Sequence, residues 1–90
     1  MYKLIYAEDA KEGLAKLKKN EPSSFNKAVR LLQEIAIHPT TGTGHPEPLK
    51  GEPINRWSRR ISKKHRLVYR VFEIEVYVYI LSSYGHYDDK

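Results

Sequence analysis

Apolar residues recur along this chain with two periods, and the change from one to the other divides it. Tyr2 to Tyr6 alternate loosely and are rich in Leu, Ile and Tyr, which predicts a short first strand. Over Glu8 to Lys19, Ala10, Leu14 and Leu17 fall at i, i+4 and i+7, one apolar stripe of a helix. Lys11, Lys16, Lys18 and Lys19 lie on or near its wet side, and Gly13 weakens it slightly. Asn20-Glu21-Pro22-Ser23 breaks and restarts the pattern, because Asn20 suits a cap and proline is tolerated in a first turn. A second helix carries Phe25, Val29, Leu32 and Ile35/Ala36 and ends at His38-Pro39. Thr40 to Pro48, with two Gly and two Pro, is a loop.

Beyond that loop the period becomes two. Trp57 to Ser62 and His65 to Phe72 read as a hairpin around Lys63-Lys64. Glu75 to Ser82, where Val76, Val78 and Ile80 alternate against Tyr77 and Tyr79, is the clearest strand. Strand, helix, helix, then strands with short connections predicts an α+β fold. Two N-terminal helices pack on one face of an antiparallel sheet and leave the other face to water.

Ninety residues support one domain, spanning 1–90, with a single core. A hydrophobic fraction of 40% with 30% charged residues is that of a folded protein rather than a disordered one. The absence of Cys excludes disulfides, Cys-ligated metal and thiol catalysis, and suits a reducing cytoplasm. No apolar run approaches the ~18 residues of a membrane span, and the first residues have no signal-peptide pattern, so no membrane partner is expected.

Charge changes this picture more than composition does. Lys50 to Arg70 holds Lys50, Arg56, Arg59, Arg60, Lys63, Lys64, Arg66 and Arg70 against Glu52 alone, a net +7, while the rest of the chain is at −2. Such a field attracts polyanions, and the Arg fork matches phosphate. A merely solvated basic surface, or an acidic protein partner, would show the same excess. Arg59 and Arg60 point to opposite faces of their strand. With a three-residue turn, Arg60 and Arg66 become cross-strand neighbours, a like-charge pairing that costs stability unless an anion is met there. With four residues the faces disagree, and the sequence leaves the turn length open.

The polar inventory permits acid–base chemistry and little else. None of His38, His45, His65 and His86 sits in a metal-ligand pattern, no phosphate-cradling Gly loop is present, and there is no nucleophile elbow, so no metal or cofactor is expected. What remains is Glu47 between Pro46 and Pro48, the Arg cluster, and a His-Tyr pair near the chain end. These are parts for cleaving RNA with its own 2′-hydroxyl as nucleophile: a carboxylate base, Arg for the phosphorane charge, and His or Tyr as acid. Each part also has a plainer reading. Glu47 can be an ordinary loop residue, His86 part of a fraying tail, Trp57 and Tyr69 core, His65 a surface or turn residue, and His38 a helix-dipole partner.

Gly42-Thr-Gly-His-Pro-Glu-Pro-Leu-Lys-Gly51, Trp57-Ser-Arg-Arg-Ile61, His65-Arg-Leu-Val-Tyr69 and the terminal His86-Tyr87 together resemble the Txe/YoeB family of toxins, of the RelE-like superfamily. The resemblance covers essentially the whole chain. It implies a microbial-ribonuclease-like α+β domain that binds the ribosomal A site and cuts mRNA there without a metal, and a Phd/YefM-type antitoxin that masks it. Members of the family often form homodimers, and the sequence leaves monomer and dimer open. By motif match, Glu47 looks like the general base, His86 the general acid and Arg66 the phosphorane stabiliser. Lys50, Arg60 and Arg59 look like substrate contacts, and Tyr87 like a residue positioning the nucleotide. A ParE-like, non-catalytic toxin acting on a protein such as DNA gyrase is the alternative on the same superfold. Two departures stand out: Gly85 precedes His86, where many members carry a Tyr-His-Tyr-like run, and Asp88-Asp89-Lys90 follows Tyr87. Those carboxylates would repel RNA, so the tail is expected to point away.

Overall fold

The change of period in the sequence is a change from helix to strand, and the order of elements follows it. The structure is a computed structural model and describes residues 1–51 and 54–85. It contains β1 (Lys3–Tyr6), α1 (Glu8–Asn20), α2 (Pro22–Ile35), β2 (Glu47–Pro48), β3 (Arg56–Arg60), β4 (Arg66–Phe72) and β5 (Tyr77–Ser82). The strands form one sheet in the order β1-β5-β4-β3-β2. From β2 to β5 the pairing is antiparallel, whereas β1 runs parallel to β5, with Lys3 opposite Tyr77 and Tyr6 opposite Ile80. The fold is thus α+β as predicted, with a parallel edge added. The geometry explains the edge: the two helices carry the chain from β1 to the far side of the sheet, and the meander β2 to β5 walks back to β1.

Alternation sorts the side chains by face. Leu67, Tyr69 and Val71 of β4 and Val78 and Ile80 of β5 turn towards the helices. They meet Ala10, Leu17, Ala28, Leu31, Leu32 and Ile35 in one buried cluster. The buried stripe of α2 is Ala28, Leu31, Leu32 and Ile35, so Phe25 lies at its margin and Val29 only half inside. Gly13 is buried for a reason of close approach: a Cβ there would collide with Ser83 Oγ and stand 2.9 Å from Tyr84 Cβ.

Several boundaries differ from the predicted ones. Asn20 closes α1 instead of capping α2, and Glu21 joins the two helices with no side-chain cap bond. Glu21 directs its carboxylate to His65 instead. The Thr40–Pro48 loop gives up its last two residues to β2, which pairs with β3. Finally β5 begins at Tyr77, because residues 73–76 form the reversal between paired Phe72 and Tyr77, with Val76 at φ 58° and Ile74 in solvent.

The irregular loop after α2 is held by one side chain. Arg59 is on the helix-facing side of β3 with no solvent exposure. Its Nε donates to the Tyr69 hydroxyl at 3.0 Å, and its Nη1 donates to Glu34 Oε1 at 2.6 Å and the Thr43 carbonyl at 3.3 Å. Its Nη2 donates to the carbonyls of His38 and Thr41 at 2.5 and 2.7 Å. These account for all five N–H groups of a guanidinium. Tyr69 in turn donates to the Pro39 carbonyl at 2.7 Å, and the Arg60 N–H donates to the Gly44 carbonyl at 2.7 Å.

Arg59→Ala takes away the cation facing Glu34 and the donor of three loop carbonyls, and is expected to lower unfolding stability by about 3–5 kcal/mol in urea titrations. Arg59→Lys keeps the charge, but with only three donors it recovers less than half of the loss. A pH dependence follows from Glu34. The backbone N–H of Thr43, then the Thr43 hydroxyl and Arg59, hold its carboxyl below its ordinary value of 4.5, against the opposing effect of desolvation. Because the folded state binds this proton less readily than the unfolded one, its contribution is complete above that ordinary value. It drains away as the pH falls below it. Unfolding midpoints measured through this acid range should flatten in Glu34→Gln.

Candidate active site

On the solvent-facing side of the sheet, Glu47 of β2, Ser58 of β3 and Val68 of β4 form one cross-strand row, and Arg60 and Arg66 form the next. Two strand spacings, roughly 9.5 Å, separate the backbones of β2 and β4. The Arg66 side chain spans that gap diagonally over β3. Its Nη1 reaches Glu47 Oε1 at 3.2 Å and Ser58 Oγ at 3.4 Å. Ser58 is fully buried and forms the floor, while the side chains above it stay open to solvent: Arg66 is 26% exposed and Glu47 57%.

The register gives this arrangement its electrostatics. Arg60 stands directly opposite Arg66, the pairing expected from a three-residue turn, and Ile61 N–H closes that turn on the His65 carbonyl at 2.9 Å. Arg60 is exposed, so two guanidinium groups and one carboxylate share a small wet patch. The net positive charge there favours an anion, and the Arg66–Glu47 pair puts a carboxylate and a cation side by side within it. Lys50 is also exposed, and its carbonyl accepts from Arg56 Nη2 at 2.9 Å where the β2–β3 ladder ends. Among the described residues no group of three or more His, Asp or Glu side chains is gathered as a metal would need.

The predicted residues therefore separate. Glu47, Arg66 and Arg60 come together on one face, and Lys50 borders the same edge. Arg59 does not join them. It faces the core, and its donors are consumed by the loop, so its expected role as a substrate contact is corrected to an internal one. His86 and Tyr87 lie outside the described residues, as does the Asp88-Asp89-Lys90 tail. The last described residue, Gly85, ends beside the site: the Arg66 N–H donates to its carbonyl at 3.2 Å. Sequence reasoning missed two residues. Ser58 could have been found, since alternation places it on the face of Arg60. His65, expected as a surface or turn residue, is 4% exposed and bonded through both ring nitrogens.

Residues 6–87 match the model of the YoeB-like toxin of bacterial type II toxin–antitoxin systems. The chain belongs to this family. A toxin YoeB of Mycobacterium bovis is 55% identical over 47 residues, 52% of this chain and 55% of its own. The matched stretch thus spans about half the length of that curated relative. Among solved structures, a YoeB/ParE toxin from Agrobacterium tumefaciens superimposes with a TM-score of 0.87 at 30% identity, covering 94% of this chain and 99% of the other. A YoeB–YefM complex from Staphylococcus aureus gives 0.80 at 31% identity over 97% and 99% of the two chains. The same organism's YoeB dimer gives 0.82 at 31% identity over 96% and 98%. The YoeB-like match extends across Glu47, Lys50, Ser58, Arg60 and Arg66, so the wet patch falls wholly within the shared domain.

Proposed function

We propose that this YoeB-like toxin is an endoribonuclease that cuts mRNA in the ribosomal A site and so stops translation. The observation that carries the reading is the Glu47–Arg66 contact, a solvent-open carboxylate at 3.2 Å from a guanidinium on a net-basic face. In the proposed reaction the Glu47 carboxylate takes the proton of a ribose 2′-hydroxyl, and that oxygen attacks the adjacent phosphorus. Arg66 balances the charge gathering on the phosphorane oxygens, and the bond to the 5′-oxygen breaks. His86 supplies the proton to that oxygen, leaving a 2′,3′-cyclic phosphate on one fragment and a 5′-hydroxyl on the other. Lys50 and Arg60 hold flanking phosphates, and Tyr87 positions the nucleotide. No step requires a metal. A small open patch of this kind orders little single strand by itself. The ribosome supplies the orientation, and pre-ordered reactants remove much of the entropic part of the barrier.

The partner proposed for silencing is a YefM/Phd-type antitoxin, supported by the S. aureus relative solved with YefM. Self-association in pairs is proposed on the same footing, from the YoeB dimer of that organism. The site of action is the cytoplasm, where ribosomes are. Among the described residues no helix is long and apolar enough to cross a membrane.

Primer-extension mapping on translated mRNA tests the reaction. Glu47→Ala and His86→Ala are each expected to lower cleavage by about 10²–10⁴-fold. Arg66→Ala should lower it by about 10²–10³-fold. Undiminished cuts in all three variants would remove the residues from the mechanism, and supercoiling defects without mRNA cuts would favour a gyrase-directed toxin. Ribosome binding should weaken with salt. If Lys50, Arg60 and Arg66 meet phosphates, log K falls against log[salt] with a slope of about −2, and less steeply in Arg60→Ala.

A further inference from the structure

His38 and His45 are exposed, whereas His65 is buried and has both ring nitrogens engaged. Nδ1 lies 2.7 Å from the backbone nitrogen of Gly85, and Nε2 lies 2.8 Å from Glu21 Oε2. A backbone N–H can only donate, so Nδ1 is the acceptor and the ring proton is carried on Nε2, facing the carboxylate. Glu21 thereby selects the tautomer that can receive Gly85. The contact is mutual, since the bond from His65 is the foremost influence holding the Glu21 carboxyl below its ordinary range. The Tyr84 ring packs on the imidazole with centroids 4.4 Å apart.

Gly85 is fastened on both sides. Its N–H goes to His65, and its carbonyl receives the N–H of Arg66 at 3.2 Å. Its φ is 84°, a left-handed conformation in which glycine carries no Cβ penalty. No other described residue lies within 4 Å of the place a Cβ would take, so among them the demand for glycine is conformational rather than steric. Gly85 directly precedes His86 in the chain.

We propose that His65 is a positioning residue for the cleavage reaction. Oriented by Glu21, it clamps Gly85 against the start of β4 and so sets the point from which the chain continues to His86. The inference rests on the reading of His86 as the general acid. His65 touches neither substrate nor reacting atoms; it acts through the backbone that carries the acid. A displacement of about 1 Å in a catalytic group can cost 10²-fold in rate, which is the scale on which this clamp matters.

Two substitutions separate the clamp from mere filling of space. In His65→Asn the side-chain oxygen takes the place of Nδ1 and keeps the acceptor for Gly85, while the contact with Glu21 is lost. In His65→Gln the amide nitrogen takes the place of Nε2 and keeps Glu21, while the acceptor for Gly85 is lost. Ribosome-dependent cleavage by the full chain is measured alongside the Gly85 amide in nitrogen-15 NMR. The expected result is a kcat about 10²-fold lower in His65→Gln with KM for ribosomes unchanged, faster exchange of the Gly85 amide proton, and substantial rescue of both in His65→Asn. Equal cleavage by the two variants, or an unchanged Gly85 amide in His65→Gln, would overturn the proposal. Should neither variant fold, Gly85→Ala carries the test, with loss of kcat expected and full activity overturning it. A wild-type chain that leaves translated mRNA intact refutes the proposed reaction instead, whereas the NMR readout addresses the clamp separately.

Discussion

A cation without solvent contact has to be answered by protein, and Arg59 is answered in full by one helix carboxylate, one strand hydroxyl and three carbonyls of an irregular loop. The segment between α2 and β2 has no helix or ladder of its own over most of its length. Its carbonyls at His38, Thr41 and Thr43 are gathered by one guanidinium, and that at Pro39 by the Tyr69 hydroxyl beside it. Glu34 neutralises the charge from α2, so the same group ties a helix, a loop and two strands together. Glu47 stands at the end of this segment. The carboxylate proposed as base is therefore placed by the buried Arg59 and its half-buried partner Glu34 on the far side of the sheet.

Neighbouring arginines carry the two halves of that arrangement. Arg59 and Arg60 differ by one position, and strand alternation alone sends one inward and the other to water. Inward, every N–H is matched at fixed geometry. Outward, Arg60 faces Arg66 across the hairpin, a like-charge pairing that is unfavourable in isolation. The nearby Glu47 carboxylate offsets part of that repulsion and leaves a positive remainder. Internal bonding and a net-basic outer patch are thus drawn from the same residue type on opposite faces of one strand.

Periodicity made the helices, the hairpin and the α+β order legible, and the Arg60–Arg66 register followed once the turn length was known. Alternation could say that Arg59 and Arg60 diverge but not which of them meets the core, because two adjacent arginines look equally polar. That decision belongs to Tyr69 and Glu34, ten and twenty-five residues away. The parallel pairing of β1 was illegible for a similar reason: it depends on where two helices deliver the chain. Val76 extended an apparent alternation into what is a turn, since the closure between Phe72 and Tyr77 outweighs its β-propensity. His65 looked superficial because its partners, Glu21 and Gly85, are distant in sequence and one of them is backbone.

The parallel seam between β1 and β5 has a consequence for biosynthesis. The strand translated near the beginning pairs with the strand translated seventy-four residues later, Lys3 with Tyr77. A nascent polypeptide therefore exposes the apolar side of β1 until Tyr77–Ile80 clear the exit tunnel, and the sheet cannot close before then.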